Sequence, residues 1–203
     1  EPDPRNLKLL EKNIRVNEYN NVVIVDKAVS DVNDMCTLYC SEKTFGASTI
    51  FESEKTKTKN CFPIKSETVS LDSYFEKLNL HNKIDFIKID IEGAELLALN
   101  GGKKSIAKFR PIVQCELSNN FTIPRYNYSI TDVYNYFNSL NYIYAFISKE
   151  NALYESGGLE WSTGSFEKDA NNSYEFFFIP NEMKSSVDLS TKFKNNILKP
   201  YAV

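Results

Sequence analysis

Within Ile84-Asp85-Phe86-Ile87-Lys88-Ile89-Asp90-Ile91-Glu92-Gly93-Ala94-Glu95, an apolar run delivers three carboxylates around one glycine. Asp90 and Glu92 are two residues apart and share a side while the chain stays extended; Glu95 returns one helical turn later. Acids so spaced can coordinate a cation, accept a proton or hold an ammonium group. They can equally cap a helix N-terminus and complement its dipole. Lys88, set among apolar residues, is costly to bury alone, so it is expected to meet a nearby carboxylate, as a structural ion pair or as a catalytic lysine. Glu116 ends a second apolar run, Pro111 to Glu116, and lies on the same sheet edge as Asp90 if the two strands are neighbours. His81 falls in an Asn-rich turn that reads as surface, and Trp161 reads as packing a loop. Cys36 and Cys40 could share a strand face, with nothing nearby to lower either thiol pKa.

These residues need elements to hold them. Pro4 to Asn17 has Leu7, Leu10, Ile14 and Val16 at helical spacing, with Asp3 as cap and Pro4 in the first turn. Val22 to Val25 is β-branched without alternation and reads as a strand buried on both faces. Residues 35 to 70 read as a β-rich excursion with a mobile polar loop between Glu52 and Asn60. A short helix from Leu71, a central strand over Ile84 to Ile91, and a helix from Gly93 to Asn100 with Gly101-Gly102 as C-cap glycines come next. A buried strand at Pro111 to Glu116, a helix at Thr131 to Leu140, and strands at Tyr142 to Ile147 and Tyr174 to Ile179 complete the pattern. This alternation indicates one α/β domain over residues 1–203, built on a parallel sheet with ligands at the carboxyl ends of its strands.

Composition narrows the function classes. The 203 residues are 42% hydrophobic and 25% charged, as in ordinary soluble domains. A net charge of -3 lacks the basic excess that phosphate-backbone binding requires, so no nucleic-acid partner is expected. Apolar runs such as Phe176 to Ile179 fall far short of the roughly 20 residues a membrane span needs. Cys36, Cys40, Cys61 and Cys115 lack paired C-x-x-C spacing, so reduced thiols and a cytoplasmic location are expected. Three N-x-S/T sequons, at Asn120, Asn127 and Asn171, match chance and say nothing about secretion.

Together, Glu1-Pro2-Asp3-Pro4-x-Asn6-x-x-x-Leu10-x-x-Asn13, Ala28-Val29-Ser30-Asp31, Leu71-Asp72, Lys88-Ile89-Asp90-Ile91-Glu92-Gly93-Ala94-Glu95 and Pro111-x-x-x-x-Glu116 resemble the FkbM-type methyltransferases in order and spacing. The resemblance covers residues 1 to 118 and implies a Rossmann-like class I fold that binds S-adenosylmethionine. It further implies O-methylation of a hydroxyl on a sugar, glycolipid or related small acceptor. By position, Glu1 would hold the ribose hydroxyls, Ala28 would approach the adenine, and Asp90 would sit beside the methionine portion. Glu92, Glu95 and Glu116 would face the acceptor, with Glu92 making the acceptor contact; Lys88 is counted with Glu92 and Glu116 among the catalytic candidates. In this family a first strand, a glycine-rich loop and most of a second strand precede the E-P-x-P motif. The chain is therefore expected to be N-terminally truncated, and to bind the methyl donor poorly without the residues upstream of Glu1.

Two other classes fit the residues themselves. One is a hydrolase or nucleotidyl enzyme using Asp90, Glu92 and Glu116 around Mg²⁺ or Mn²⁺. The other is a non-catalytic α/β binding domain.

Overall fold

Helix α1, Pro4–Val16, begins as its sequence dictates: the Asp3 carboxylate accepts the Arg5 N–H at 2.9 Å, and Pro4 fills the first turn. The computed structural model describes residues 1–46, 48–52, 60–78, 84–147, 153–156 and 174–184. His81, Trp161, the Asn171 sequon and most of the loop expected between Glu52 and Asn60 lie outside the described residues. The fold is mixed α/β, and the chain divides into two compact units: Glu1–His81 with Leu96–Ser105, and Asn82–Glu95 with Ile106–Val203. Among the described residues, no helix is long and apolar enough to cross a membrane.

The first unit carries a three-stranded sheet in the order β1 (Ala28–Val29), β3 (Cys61–Val69), β2 (Met35–Ser41). β1 runs parallel to β3, and β2 pairs antiparallel with it, which is the excursion expected over 35–70. Asp3 ties α1 to the segment after β2. Fully buried, it takes Arg5 Nε at 3.1 Å, Arg5 Nη2 at 2.6 Å and the Ser48 hydroxyl at 2.9 Å. The same guanidinium stands over the rings of Phe45 and Phe62 and donates to the Ser41 carbonyl. Helix α2, Leu71–Lys77, starts at the Ser70 cap. Its Asp72 carboxylate accepts the Lys104 and Ser105 N–H groups at 3.0 and 2.8 Å, capping helix α4, Lys103–Phe109.

Two expectations fail in this unit. Val22 to Val25 forms no strand: Val22 and Val23 are exposed, and no strand pairs with the run among the described residues. A β-branched run becomes a strand only where a ladder partner stands beside it. The glycine pair at the end of helix α3, Glu95–Gly101, provides no left-handed cap, because neither residue has a positive φ. The glycines instead permit close packing. A Cβ on Gly101 would stand 2.1 Å from the Ser30 carbonyl oxygen, and one on Gly102 would stand 3.1 Å from Leu71 Cδ1.

The second unit holds a five-stranded sheet in the order β4 (Phe86–Ile89), β5 (Ile112–Leu117), β8 (Tyr174–Pro180), β6 (Tyr142–Ile147), β7 (Leu153–Ser156). Only β4 and β5 are parallel; the other pairs are antiparallel, so the sheet is mixed instead of parallel. β8 takes the middle because it is apolar on both faces. Phe176 and Phe178 stack on one face, with Phe178 3.9 Å from the Phe137 ring of helix α6, Ile130–Ser139, while Phe177 and Ile179 pack with Ala145 on the other. β4, expected to be central, is an edge strand among the described residues. Its alternate residues Phe86 and Lys88 are exposed.

Helix α5, Asn119–Tyr126, was not evident in the sequence. Within it Thr122 is fully buried, and its hydroxyl has no hydrogen-bond partner among the described residues. Thr122→Val keeps the shape and removes that buried polar atom, so it is expected to raise stability by about 1 kcal/mol, read from denaturant midpoints.

Candidate functional site

The β4–β5 register pairs Ile89 with Cys115, so the next residue on each parallel strand, Asp90 and Glu116, emerges at the same carboxyl edge. Asp90, Glu92, Gly93, Glu95, Glu116, Ser118 and Phe121 line one small cavity of about 20 Å³ there. The structure thus brings together the acids that the sequence nominated. Lys88 Nζ lies 3.1 Å from Asp90 Oδ2, and both side chains are about half exposed. This pair raises the Lys88 pKa and adds little to stability, about 0–1 kcal/mol. Glu1 and Ala28 belong to the first unit. There Glu1 Oε1 accepts the Asp3 N–H at 2.8 Å, and Ala28 is buried in β1, in register with Thr68.

The loop after β4 differs from the extended form expected of it. Glu92 has φ +58° and Gly93 φ +104°, so the chain turns sharply and Asp90 and Glu92 do not sit on one extended face. Helix α5 closes over the turn. Arg125 donates to the Glu92 carbonyl at 2.6 Å while its guanidinium stands over Phe121, and the Tyr128 hydroxyl lies 2.7 Å from the Gly93 carbonyl. Burial pushes the Glu92 carboxyl up; Arg125 opposes the shift, and Asp90, Glu116 and Glu95 add to it. Glu95, expected to face the acceptor, is 1% exposed and bonds back to its own loop, accepting the N–H groups of Gly93 at 3.0 Å and Ile91 at 3.2 Å.

Sequence reasoning missed Arg125, Tyr128 and Glu175. Glu175 stands directly across the ladder from Glu116, takes a hydrogen bond from Gln114 at 2.6 Å and contributes to the field on Lys88. A lone acid opening the otherwise apolar run Tyr174 to Ile179 was the available signal. The cysteines offer no competing chemistry. All four are free thiols; burial raises Cys36 and Cys115, and burial together with the Asp3 charge pushes Cys40 up to about 11.

The methyltransferase FkbM domain matches residues 1–144. The chain belongs to the FkbM methyltransferase family. A similar solved structure is the methyltransferase FkbM from Methylobacillus flagellatus KT, 16% identical with a TM-score of 0.51, a likeness of fold. The match covers 88% of this chain and 35% of that one, so the chain spans about a third of that FkbM protein's length. No curated protein matches the sequence. FkbM membership implies S-adenosylmethionine as methyl donor. The chemistry of the cavity fits the cationic end of that molecule: its ionisable lining is carboxylate, suited to an ammonium or sulfonium and unsuited to a phosphate. At about 20 Å³ it is far smaller than the roughly 300–1,000 Å³ of whole-ligand pockets and has room for one small group.

Proposed function

We propose that the chain serves S-adenosylmethionine-dependent O-methylation of a hydroxyl on a sugar, glycolipid or related small acceptor. The carboxylate cavity at the carboxyl edge of the parallel β4–β5 pair carries this reading. The methyl donor supplies an activated methyl on a sulfonium, and such a transfer needs an aligned acceptor oxygen and one proton acceptor. Asp90 is assigned to the donor's ammonium, with Lys88 fixing the orientation of its carboxylate. Glu92 is assigned to the acceptor hydroxyl as the proton acceptor. Its raised pKa brings the carboxyl nearer neutrality, where general bases work best. Glu116 is the second carboxylate facing the acceptor. Among the described residues, no group of three or more His, Cys, Asp or Glu is disposed to hold a metal ion.

The test uses the full-length gene product. Asp90→Asn is expected to weaken S-adenosylhomocysteine binding about tenfold by calorimetry. Glu92→Gln is expected to leave that binding in place and slow methyl transfer to sugar hydroxyls about 100-fold. Unchanged donor affinity in Asp90→Asn would refute the assignment of the cavity.

A further inference from the structure

Glu95 and Tyr128 pose a question of proton arithmetic. Glu95 Oε1 already accepts two backbone N–H groups, from Gly93 and Ile91. Its Oε2 lies 3.0 Å from the Tyr128 hydroxyl, and that hydroxyl lies 2.7 Å from the Gly93 carbonyl oxygen, all in buried surroundings. A phenol has one proton to give, and a carbonyl oxygen can only accept. With an ionised carboxyl the phenol proton would turn to Glu95, leaving two lone-pair oxygens facing each other at 2.7 Å in buried surroundings. With a neutral carboxyl both contacts become hydrogen bonds: Oε2–H donates to Tyr128, and Tyr128 donates to Gly93.

We propose that Glu95 is held as the neutral acid, forming a one-way chain from Glu95 through Tyr128 to the Gly93 carbonyl that locks the Glu92–Gly93 turn. Glu95 and Tyr128 are then positioning residues for Glu92, a role that rests on the methyl-transfer reading; the protonation state does not. The turn needs such a lock, because Glu92 and Gly93 both have positive φ. The charges around Glu95 agree. From its own loop it shares the cavity with Glu92 and Asp90, and from β5 with Glu116, carboxylates that disfavour a further negative charge. Two cations stand near these acids, and each is engaged: Arg125 of α5 with the Glu92 carbonyl and Lys88 of β4 with Asp90. Burial raises the Glu95 pKa, against the hydrogen bonds from its loop and Tyr128.

Infrared difference spectra between the full-length wild type and Glu95→Gln at neutral pH test the protonation directly. A protonated carboxyl C=O band is expected in the wild type, absent from Glu95→Gln and shifted in Tyr128→Phe. Glutamine reproduces the neutral acid, with its Oε1 accepting from the two amides and its Nε2–H donating to Tyr128. It should therefore recover most of the roughly tenfold loss in S-adenosylhomocysteine affinity expected for Glu95→Ala. Because the folded pKa is raised, the stabilisation is full in acid and fades as pH climbs through that raised value. The melting temperature of the wild type relative to Glu95→Gln should accordingly fall with rising pH. Absence of the band, or a Glu95→Gln protein as impaired as Glu95→Ala, overturns the proposal. If wild type fails to bind S-adenosylhomocysteine, the methyl-transfer reading fails, and the infrared band and melting curves alone decide the protonation.

Discussion

Replacing Asp3 by alanine is expected to destabilise the protein by about 3 kcal/mol, lowering the melting temperature by about 6–12 °C. One part is the lost cap of α1, where the carboxylate accepts the Arg5 N–H; such caps are worth about 1 kcal/mol. The larger part is Arg5, whose guanidinium loses a two-point partner while only 26% exposed. Stacking against Phe45 and Phe62 and the bond to Ser41 hold it in place, so it cannot move freely into water. Asparagine keeps the cap acceptor and loses the charge, so Asp3→Asn should cost about half as much. Arg5 also holds the Asp3 carboxyl well below the usual range. A depressed carboxyl stabilises the fold fully above its ordinary pKa of about 3.9, and that stabilisation is lost as pH falls through the folded value. The gap between wild type and Asp3→Ala should therefore narrow in acid. Thermal melts across the acid range measure this; a gap that widens would refute the assignment.

How far the sequence discloses the fold depends on how local each signal is. Helix α1 was legible because its cap, its first-turn proline and its apolar spacing lie within a dozen adjacent residues. The position of a strand in its sheet is not local. Ile84 to Ile91 and Val22 to Val25 look equally buried as text, yet among the described residues β4 lies at an edge and the valine run joins no sheet. A glycine announces a need without saying which: at Gly93 it is a positive φ, at Gly101 the space to approach the Ser30 carbonyl. The proximity of Asp90 and Glu116 was legible because two parallel neighbours end at one edge. Arg125 and Tyr128 were not, since their partners lie 33 and 35 residues away along the chain. The motif therefore disclosed the acids and left the clamp that shapes their loop unseen.

Gly93→Ala is expected to cost about 3 kcal/mol in stability and to reduce donor binding at the cavity by at least about tenfold. Two independent demands meet at this residue. Its φ of +104° is a conformation that L side chains rarely adopt, worth about 1–2 kcal/mol. A Cβ there would also stand 3.1 Å from Phe121 Cβ and 3.3 Å from the Phe121 carbonyl carbon and oxygen. The backbone of α5 cannot rotate aside as a long side chain could, so α5 must shift, adding about 1–2 kcal/mol. That shift carries away Arg125 and Tyr128, which hold the carbonyls of Glu92 and Gly93. The loss of function should thus exceed what reduced stability alone produces, and should persist well below the melting transition. Gly46 is the matched control. A Cβ there meets nothing within 4 Å and its φ is not positive, so Gly46→Ala should be neutral or stabilising by about 0.5 kcal/mol. Denaturant unfolding of the two variants, with S-adenosylhomocysteine titrated into each, separates the effects. A Gly93→Ala protein as stable as Gly46→Ala would mean that the turn after β4 is not the left-handed one seen beneath α5.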